Sequence, residues 1–324
     1  MKGTLPGAER LRITSRIGAE KLYKVVRFAL LFGLQFMILY PILFMIVSAF
    51  RGVEDMSNPS VIWVTRHWTL DNFKLLFKSS DIWGAIQFTT AVSLTSALVQ
   101  TAVCSMVGYG FARYDFWGKK ILFGILMFSI VVPPQTYIVA LFGIIKDFRI
   151  PIVGWIFSLF GSNIGTVQLI DSPAAFWVQC LFGMGFRSGL FIYIFRQFYR
   201  GLPRELDEAA TIDGCGHIKT FLRVMLPNAI PAMVTVFMFS LVWHWSEYFV
   251  SSVLTATKQT ISVALATLRP IVEGQYTSGS GISMVRVQML VQAGSLITIA
   301  PMLILFMFAQ KFFTQGMERT GIVG

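Results

Sequence analysis

Charged residues, histidine and cysteine are all scarce in this chain of 324 residues, and each scarcity excludes a class of function. Only 13% of the residues are charged, against about 25% in soluble domains, while 55% are hydrophobic. Three histidines and three widely separated cysteines show neither metal-ligand nor redox spacing, so no metal site is predicted. A phosphate-binding GxxxxGK motif is also absent, so the chain is not itself an ATPase. The composition predicts a polytopic membrane protein.

Six apolar segments are each long enough to cross about 30 Å of hydrocarbon. They are predicted to span the membrane at 28–49, 85–112, 121–145, 174–196, 228–255 and 288–313. Of the 27 Lys and Arg residues, 17 lie in the segments that this arrangement places inside and nine in those outside. Because cytoplasmic loops carry the excess of basic residues, both termini are predicted to be cytoplasmic. The net charge of +11 therefore reflects loop topology and does not indicate nucleic-acid binding.

A polar, helix-prone stretch at 203–227, the polar loop, separates the fourth and fifth apolar segments. Pro203 suits the first turn of a helix, and the acidic residues that follow it are favoured there by the helix dipole. Gly214 and Gly216 then break the helical run, and a second short helix is predicted over 217–225. The pattern predicts a helix-turn-helix that projects from the membrane.

The spacing within the polar loop resembles the EAA loop of ATP-binding-cassette importer permeases. Glu208-Ala209-Ala210 is followed after three residues by Gly214, and nine residues later by Val224-Met225-Leu226-Pro227. The resemblance implies a cytoplasmic coupling helix-turn-helix that docks on an ATPase subunit. The residues that it implicates are Glu208, Ala209, Ala210, Asp213, Gly214, Leu226 and Pro227. The alternative is an ordinary surface helix-turn-helix without a partner.

Three further stretches are similar to the carbohydrate-uptake, maltose-permease-like branch of the same family. They are the turn at 110–120 (GFARYDFWGKK), the WSE at 245–247, and the ending at 310–316 (QKFFTQG). Three features depart from the family pattern. Val224 replaces the usual Ile, a penultimate lysine is lacking, and the connection at 146–172 is longer than usual. Its apolar stretch 151–161 is too short to span, so we predict an interfacial or re-entrant helix that serves a binding-protein contact or only packing.

The resemblance implies an all-α permease of the type I importer fold in the bacterial cytoplasmic (inner) membrane. Residues 1–27 would form a basic cytoplasmic segment, 28–313 the six-helix transmembrane domain, and 314–324 a cytoplasmic tail. The implied partners are a second, homologous permease, two ATPase subunits and an extracytoplasmic solute-binding protein. ATP and Mg would be bound by the ATPase subunits, so this chain is expected to carry no cofactor and no catalytic residue.

Six residues are candidates for contact with a substrate: Arg187, Trp243, His244, Trp245, Glu247 and Tyr248. A cation within the fourth apolar segment is costly, so Arg187 either snorkels to the outer interface or faces a cavity and meets a substrate carboxylate or hydroxyl. Helical spacing predicts that Trp243 and Glu247 share one face, and that Trp245 and Tyr248 share another. Aromatic faces suit a sugar, although an aromatic belt with a structural Glu is the alternative. Arg187 and His244, together with the longer connection at 146–172, make an acidic oligosaccharide, such as an alginate or pectin fragment, a substrate hypothesis.

Two other functions compete with a permease subunit of a sugar importer. A secondary transporter would suit helices broken at Pro133-Pro134 and Pro301, because such transporters bind substrates at discontinuous helices. It would also need an ion-coupling site, and Glu247 is nearly the only carboxylate in the predicted spans. A membrane enzyme is disfavoured because no nucleophile–base pair is present. The secondary transporter is therefore the main alternative.

Overall fold

The computed structural model describes residues 7–56, 58, 64–149, 166–277 and 284–320. The interfacial helix predicted at 151–161 lies outside these residues. The chain divides into two compact units. The first comprises Met1–Leu75 and Gly281–Leu296, and the second comprises Leu76–Ser280 and Ile297–Gly324.

The described residues are predominantly α-helical, as the family resemblance implies. The first helices are α1 Gly7–Ala49, α2 Asp71–Ser79, α3 Ile82–Arg113, α4 Lys119–Val131 and α5 Ile138–Lys146. A short antiparallel ribbon then pairs β1 Phe148–Arg149 with β2 Thr166–Val167. The later helices are α6 Ala174–Leu181, α7 Ser188–Gly201, α8 Glu205–Ile212, α9 His217–Thr220, α10 Leu226–Asn228, α11 Ile230–Ser246, α12 Phe249–Leu254, α13 Ile261–Thr277 and α14 Met284–Thr320.

Within the described residues, three helical segments are long and apolar enough to cross a membrane: Glu20–Ala49, Ile82–Arg113 and Met284–Gln310. They contain the predicted first and second spans and all but the last three residues of the sixth. A fourth candidate is a pair of helices, His217–Asn228 and Ile230–Ser246, which meet at an angle of 79°. The first segment belongs to α1, which also continues through most of the basic N-terminal segment.

The other predicted spans are each divided between two shorter helices. The third ends at Val131 before Pro133-Pro134 and resumes as α5, because proline lacks the N–H group that would continue the helix. The fourth is interrupted between α6 and α7, and the fifth between α11 and α12. Pro301, by contrast, lies inside the continuous helix α14, so the predicted break at this residue is wrong.

Helix α3 lies at the centre of the second unit, where it packs against α6, α7 and α11. Buried residues of α3, α7 and α11 form one apolar cluster, which includes Cys104, Phe191, Phe195 and Val236. The contact between α3 and α7 is closest at Gly108, where an added Cβ atom would lie 2.5 Å from the Phe195 Cβ. The missing side chain therefore allows two helix backbones to approach each other closely.

Candidate functional site

The polar loop folds as the helix-turn-helix that its sequence predicts. Helix α8 begins at Glu205, two residues after Pro203, and its first turn carries three acidic residues. Gly214 turns the chain with φ at +77°, a value that L side chains rarely adopt. The second arm runs from His217 through a π-helical turn, Phe221–Met225, into α10. The predicted helix over 217–225 is therefore present, with a wider turn in its second half.

The seven residues implicated by the EAA resemblance divide into an exposed group and a packed group. Glu208, Ala209, Asp213, Gly214 and Pro227 are exposed, Leu226 is partly covered, and Ala210 is buried. Two apolar side chains on either side of the corner are also exposed, Ile212 at 86% and Ile218 at 75%. The loop therefore presents apolar and acidic groups together, a composition suited to a protein partner.

The C-terminal end of α3 holds the polar loop, a contact that the sequence did not reveal. The Arg113 guanidinium forms an ion pair with Asp207, with 2.9 Å between Nε and Oδ2. Arg113 also donates hydrogen bonds to the carbonyl oxygens of Leu202 and Pro203, at 2.8 and 3.2 Å. The Tyr109 hydroxyl donates to the other Asp207 oxygen at 2.9 Å. Two motifs that resemble the family separately, 110–120 and 203–227, are thus joined in the structure.

A second polar centre lies at the interruption between α6 and α7. Arg187 adopts φ of +64° there, and its guanidinium lies 5.2 Å from the centre of the Phe186 ring and 5.4 Å from that of Trp243. The buried Gln100 of α3 donates hydrogen bonds to the Phe186 carbonyl at 2.7 Å and to the Ser188 hydroxyl at 2.8 Å. Gln100 therefore satisfies a backbone group that the broken helix leaves without an intrahelical partner. The only sequence signal for this role was a glutamine inside an apolar span.

The predicted helical faces of 243–248 are wrong, because α11 ends at Ser246. Glu247 has extended backbone angles, and its carboxylate accepts a hydrogen bond from the Val250 N–H group at 2.8 Å, which caps α12. Neither Gly nor Pro occurs at this interruption, so the sequence pattern predicts one continuous helix over 243–248. Glu247 and Tyr248 therefore do not share faces with Trp243 and Trp245.

The six candidate substrate residues are only partly brought together. Arg187 and Trp243 are in contact, whereas His244 and Glu247 line a small cleft with Tyr137, Gln179 and Phe186. His244 is buried, and its Nε2 lies 3.1 Å from the Gln100 side-chain oxygen, which favours a structural role for this histidine over a substrate contact. Tyr137 lines the same cleft as His244 and Glu247, so this tyrosine joins the candidate path.

Trp245 and Tyr248 lie apart from this arrangement. Trp245 is 6% exposed, and its indole N–H group donates to the Thr298 carbonyl at 2.9 Å. It packs in a separate cluster with Ala85 and Ile261. Tyr248 is 47% exposed. Trp245 is therefore a packing residue, and its prediction as a substrate contact finds no support in the geometry.

A larger open cleft in the second unit contains none of the predicted substrate residues. It encloses about 1140 Å³ of empty space, open solvent included, and its lining combines hydroxyl, amide and charged groups with apolar ones. Its polar lining residues include Ser80, Asp81, Gln87, Lys258 and Gln259. Asp81 belongs to the turn before α3, where its carboxylate accepts a hydrogen bond from the Gly84 N–H group. The cleft could not be predicted from the sequence, because its lining residues come from two segments that lie far apart in the chain, 79–88 and 257–271.

Comparisons with known proteins agree with the predicted class. The arabinooligosaccharides transport system permease protein AraQ of Halalkalibacterium halodurans is 26% identical, over 90% of this chain and 93% of the relative. The maltodextrin transport system permease protein MdxG of Bacillus subtilis is 24% identical, over 94% of this chain and 98% of the relative. A chain from the crystal structure of a bacterial ABC transporter that imports the acidic polysaccharide alginate has the same fold. Its TM-score is 0.69 at 18% identity, covering 91% of this chain and 98% of that chain.

The family itself is shown by a match over two thirds of the sequence. Residues 104–319 match the family described as binding-protein-dependent transport system inner membrane component. The matched region contains the polar loop, the turn at Arg187 and the segment 243–248. The chain is thus a membrane protein that belongs to the family of binding-protein-dependent transport system inner membrane components.

Proposed function

We propose that this chain is one of two permease subunits in a bacterial importer that is driven by ATP hydrolysis and takes up an oligosaccharide. The observation that carries the proposal is the polar loop, an exposed helix-turn-helix within the region that matches the family. The permease names of the relatives, which mention arabinooligosaccharides and maltodextrin, support a sugar as the cargo.

In this proposal the chain crosses the bacterial inner membrane six times, with both termini and the polar loop in the cytoplasm. The divided helices α4–α5, α6–α7 and α11–α12 each form one interrupted span. Interruptions of this kind are tolerated where neighbouring side chains satisfy the backbone groups, as Gln100 does for Phe186. The basic residues of 1–27, 113–120 and 196–223 support this orientation.

The proposed partners are a homologous permease, two ATPase subunits and an extracytoplasmic solute-binding protein. The ATPase subunits bind ATP and Mg, while this chain supplies a path for the substrate and carries out no catalysis. When ATP closes the ATPase pair, the polar loop moves, and the permease pair changes from an inward-open to an outward-open state. ATP energy thereby biases a two-state equilibrium.

An acidic oligosaccharide is the cargo that the geometry favours among sugars. Arg187 is exposed, and two aromatic rings lie against its guanidinium. This arrangement offers a cation to a substrate carboxylate and ring faces to the sugar C–H groups. The similar fold of a bacterial transporter involved in the import of alginate is consistent with this choice.

The substrate assignment is tested by replacing Arg187. We expect Arg187→Met to reduce the uptake of an alginate oligosaccharide, whereas Arg187→Lys should retain more of it because it keeps the positive charge. Uptake of radiolabelled oligosaccharide by cells that carry the complete importer is the measurement. Equal uptake by the native chain and Arg187→Met would disprove the carboxylate contact.

The secondary-transporter alternative keeps one favourable observation, the discontinuous helices near Pro133 and Glu247. However, the Glu247 carboxylate caps α12 by accepting the Val250 N–H group, and the helix at Pro301 is continuous. These contacts reduce the support for ion coupling at Glu247. The importer proposal accounts for the polar loop, which a secondary transporter does not need.

A pull-down experiment distinguishes the two functions. The chain is tagged, its native membranes are solubilised gently, and the co-purifying proteins are identified for three forms: native, Gly214→Pro and Gly216→Ala. Proline cannot adopt the positive φ of Gly214, whereas Gly216 has φ of −72° and open space around it. We expect an ATPase subunit with the native and Gly216→Ala chains but not with Gly214→Pro. A native chain that purifies without an ATP-binding subunit would refute the importer proposal.

A further inference from the structure

Helix α3 connects the polar loop to the turn that carries Arg187. Its C-terminal end contacts the loop through Arg113 and Tyr109, and its middle contacts the turn through Gln100. Thirteen residues separate Gln100 from Arg113, a distance of about 20 Å along a helix. The helix is continuous from Ile82 to Arg113 and contains no proline, so its two attachments belong to one rigid element.

The attachment at the polar loop is partly buried and includes both arms of the loop. The Arg113 side chain is 7% exposed, and that of Asp207 is 23% exposed. Arg113 binds the first arm at Asp207 and at the preceding carbonyl groups, while the Tyr109 ring packs 5.1 Å from the Phe221 ring of the second arm. Removal of one partner of a buried ion pair leaves an uncompensated charge, so the contact resists separation.

The attachment at the turn is saturated with hydrogen bonds. Both N–H groups of the Gln100 amide are used, by the Phe186 carbonyl and the Ser188 hydroxyl. The amide oxygen accepts a hydrogen bond from Ser240 and lies 3.1 Å from His244 Nε2. A glutamine amide has two donors and two acceptor positions, and each of them has a neighbour here. A displacement of α3 would therefore displace the turn or break this network.

We propose that α3 is the element that transmits movement of the polar loop to the Arg187 turn. Asp207, Arg113 and Tyr109 are positioning residues for the loop, and Gln100 is a positioning residue for Arg187. This inference rests on the proposed function, because the movement originates at the ATPase subunits. It goes beyond that function by assigning transmission to named contacts on one helix.

The first experiment tests the attachment without any partner protein. Cys104 and Cys180 are buried, whereas Cys215 in the polar loop is partly exposed, so a maleimide reports on the loop through its native thiol. We expect Asp207→Asn to raise the labelling rate of Cys215 severalfold, because the Arg113 charge loses its counter-charge. Asp115→Asn is the matched control, since Asp115 forms an exposed ion pair with Lys119 close to the same end of α3. Equal labelling rates in the two variants would overturn the attachment.

The second experiment measures transmission in the reconstituted complex, as substrate imported per ATP hydrolysed. We expect Asp207→Asn to lower this ratio severalfold while the ATPase subunit remains bound. A double variant that swaps the two charges, with Arg113→Asp and Asp207→Arg, should restore part of the ratio. Loss of the ATPase subunit from Asp207→Asn would overturn the inference, because Asp207 would then be a docking residue. If the native chain bound no ATPase subunit, the proposed function would fail, while the labelling experiment would still decide the attachment.

A double-mutant cycle tests whether the two contact sites of α3, at Gln100 and at Arg113, act together. If movement passes along one path, the double variant with Gln100→Met and Asp207→Asn should import nearly as much substrate per ATP hydrolysed as the more severe of the two single variants. Residues with independent roles give effects that add as free energies. Additive losses in the double variant would show two separate roles and would overturn transmission through α3.

Discussion

At the scale of the residue, Asp55 and His67 belong to a network of hydrogen bonds in the first unit. The Asp55 carboxylate accepts hydrogen bonds from the Thr65 hydroxyl at 2.6 Å and from the Arg66 and His67 N–H groups at 2.8 Å. Its other oxygen lies 3.0 Å from His67 Nδ1. The hydrogen bond from Thr65, followed by those from His67 and Arg66, holds the pKa of Asp55 well below its usual range. The hydrogen bond to Asp55 raises the pKa of His67.

These shifts predict that the contact between Asp55 and His67 stabilises the fold most in mildly acidic solution. The lowered pKa of Asp55 stabilises the fold above its unfolded value of about 3.9, and this contribution is lost as the pH falls through the folded pKa. The raised pKa of His67 stabilises the fold below about 6.5, and this contribution is lost as the pH rises through the folded value.

Replacement of His67 separates the two contributions. We expect His67→Gln to lower the melting temperature of the purified chain at pH 5.5, and to lower it less at pH 8.5, where the native imidazole carries less positive charge. Thermal unfolding of both chains in detergent at the two pH values is the measurement. A difference between the chains that does not depend on pH would contradict the role of the imidazolium.

At the scale of the element, the contact between α3 and α7 depends on one missing side chain. A Cβ atom at position 108 would lie 2.5 Å from the Phe195 Cβ and 3.0 Å from the Arg196 backbone nitrogen. Because one of these neighbours is backbone, the helices would have to move apart. Gly110, two residues later on the same helix, has no atom within 4 Å of the corresponding position.

This difference predicts opposite effects for two similar substitutions. We expect Gly108→Ala to lower the free energy of unfolding by about 1–3 kcal/mol, as other overpacked cores do. Gly110→Ala should leave it unchanged or raise it slightly, because alanine favours helix more than glycine does. Thermal unfolding of the three chains measures both effects. A Gly108→Ala chain as stable as Gly110→Ala would mean that the helices tolerate the wider spacing.

The elements also show which features the sequence could predict. Pro203, the first-turn acidic residues and Gly214 act locally, so the polar loop was predictable from its own residues. The interruption at Glu247 was not, because a carboxylate that caps α12 takes the place of a glycine or proline signal. The contact between Arg113 and Asp207 was also unpredictable, since it joins residues 94 positions apart whose separate motifs carry no distance information.

At the scale of the whole molecule, the net charge of +11 conceals an acidic surface on the polar loop. Helix α8 carries Glu205, Asp207 and Glu208 in its first turn. Asp207 is turned towards Arg113, whereas Glu205 and Glu208 are exposed. The importer proposal assigns only Glu208 of these two exposed carboxylates to the docking surface. The pair therefore offers an internal control for the function of the complex.

We expect Glu208→Lys to abolish substrate-stimulated ATP hydrolysis by the reconstituted complex, because it reverses the charge in the docking surface. Glu205→Lys places the same charge near the same helix N-terminus, where the helix dipole disfavours it by about 0.3–1 kcal/mol. A general effect on α8 would therefore appear in both variants, and loss of docking only in Glu208→Lys. Normal stimulation in Glu208→Lys, or equal loss in both variants, would contradict the assignment.

The low burial of α1 has a consequence for how the protein is synthesised and inserted. Only 11% of the residues in its apolar window are buried within the structure, and the window is long and apolar enough to cross a membrane. Chains fold from the N-terminus during synthesis, and this helix leaves the ribosome before the other described helices. It can therefore enter the bilayer on its own and act as an anchor while the ribosome is still producing α3. Biogenesis would then proceed in two stages, with insertion of α1 preceding the packing of the later helices around α3.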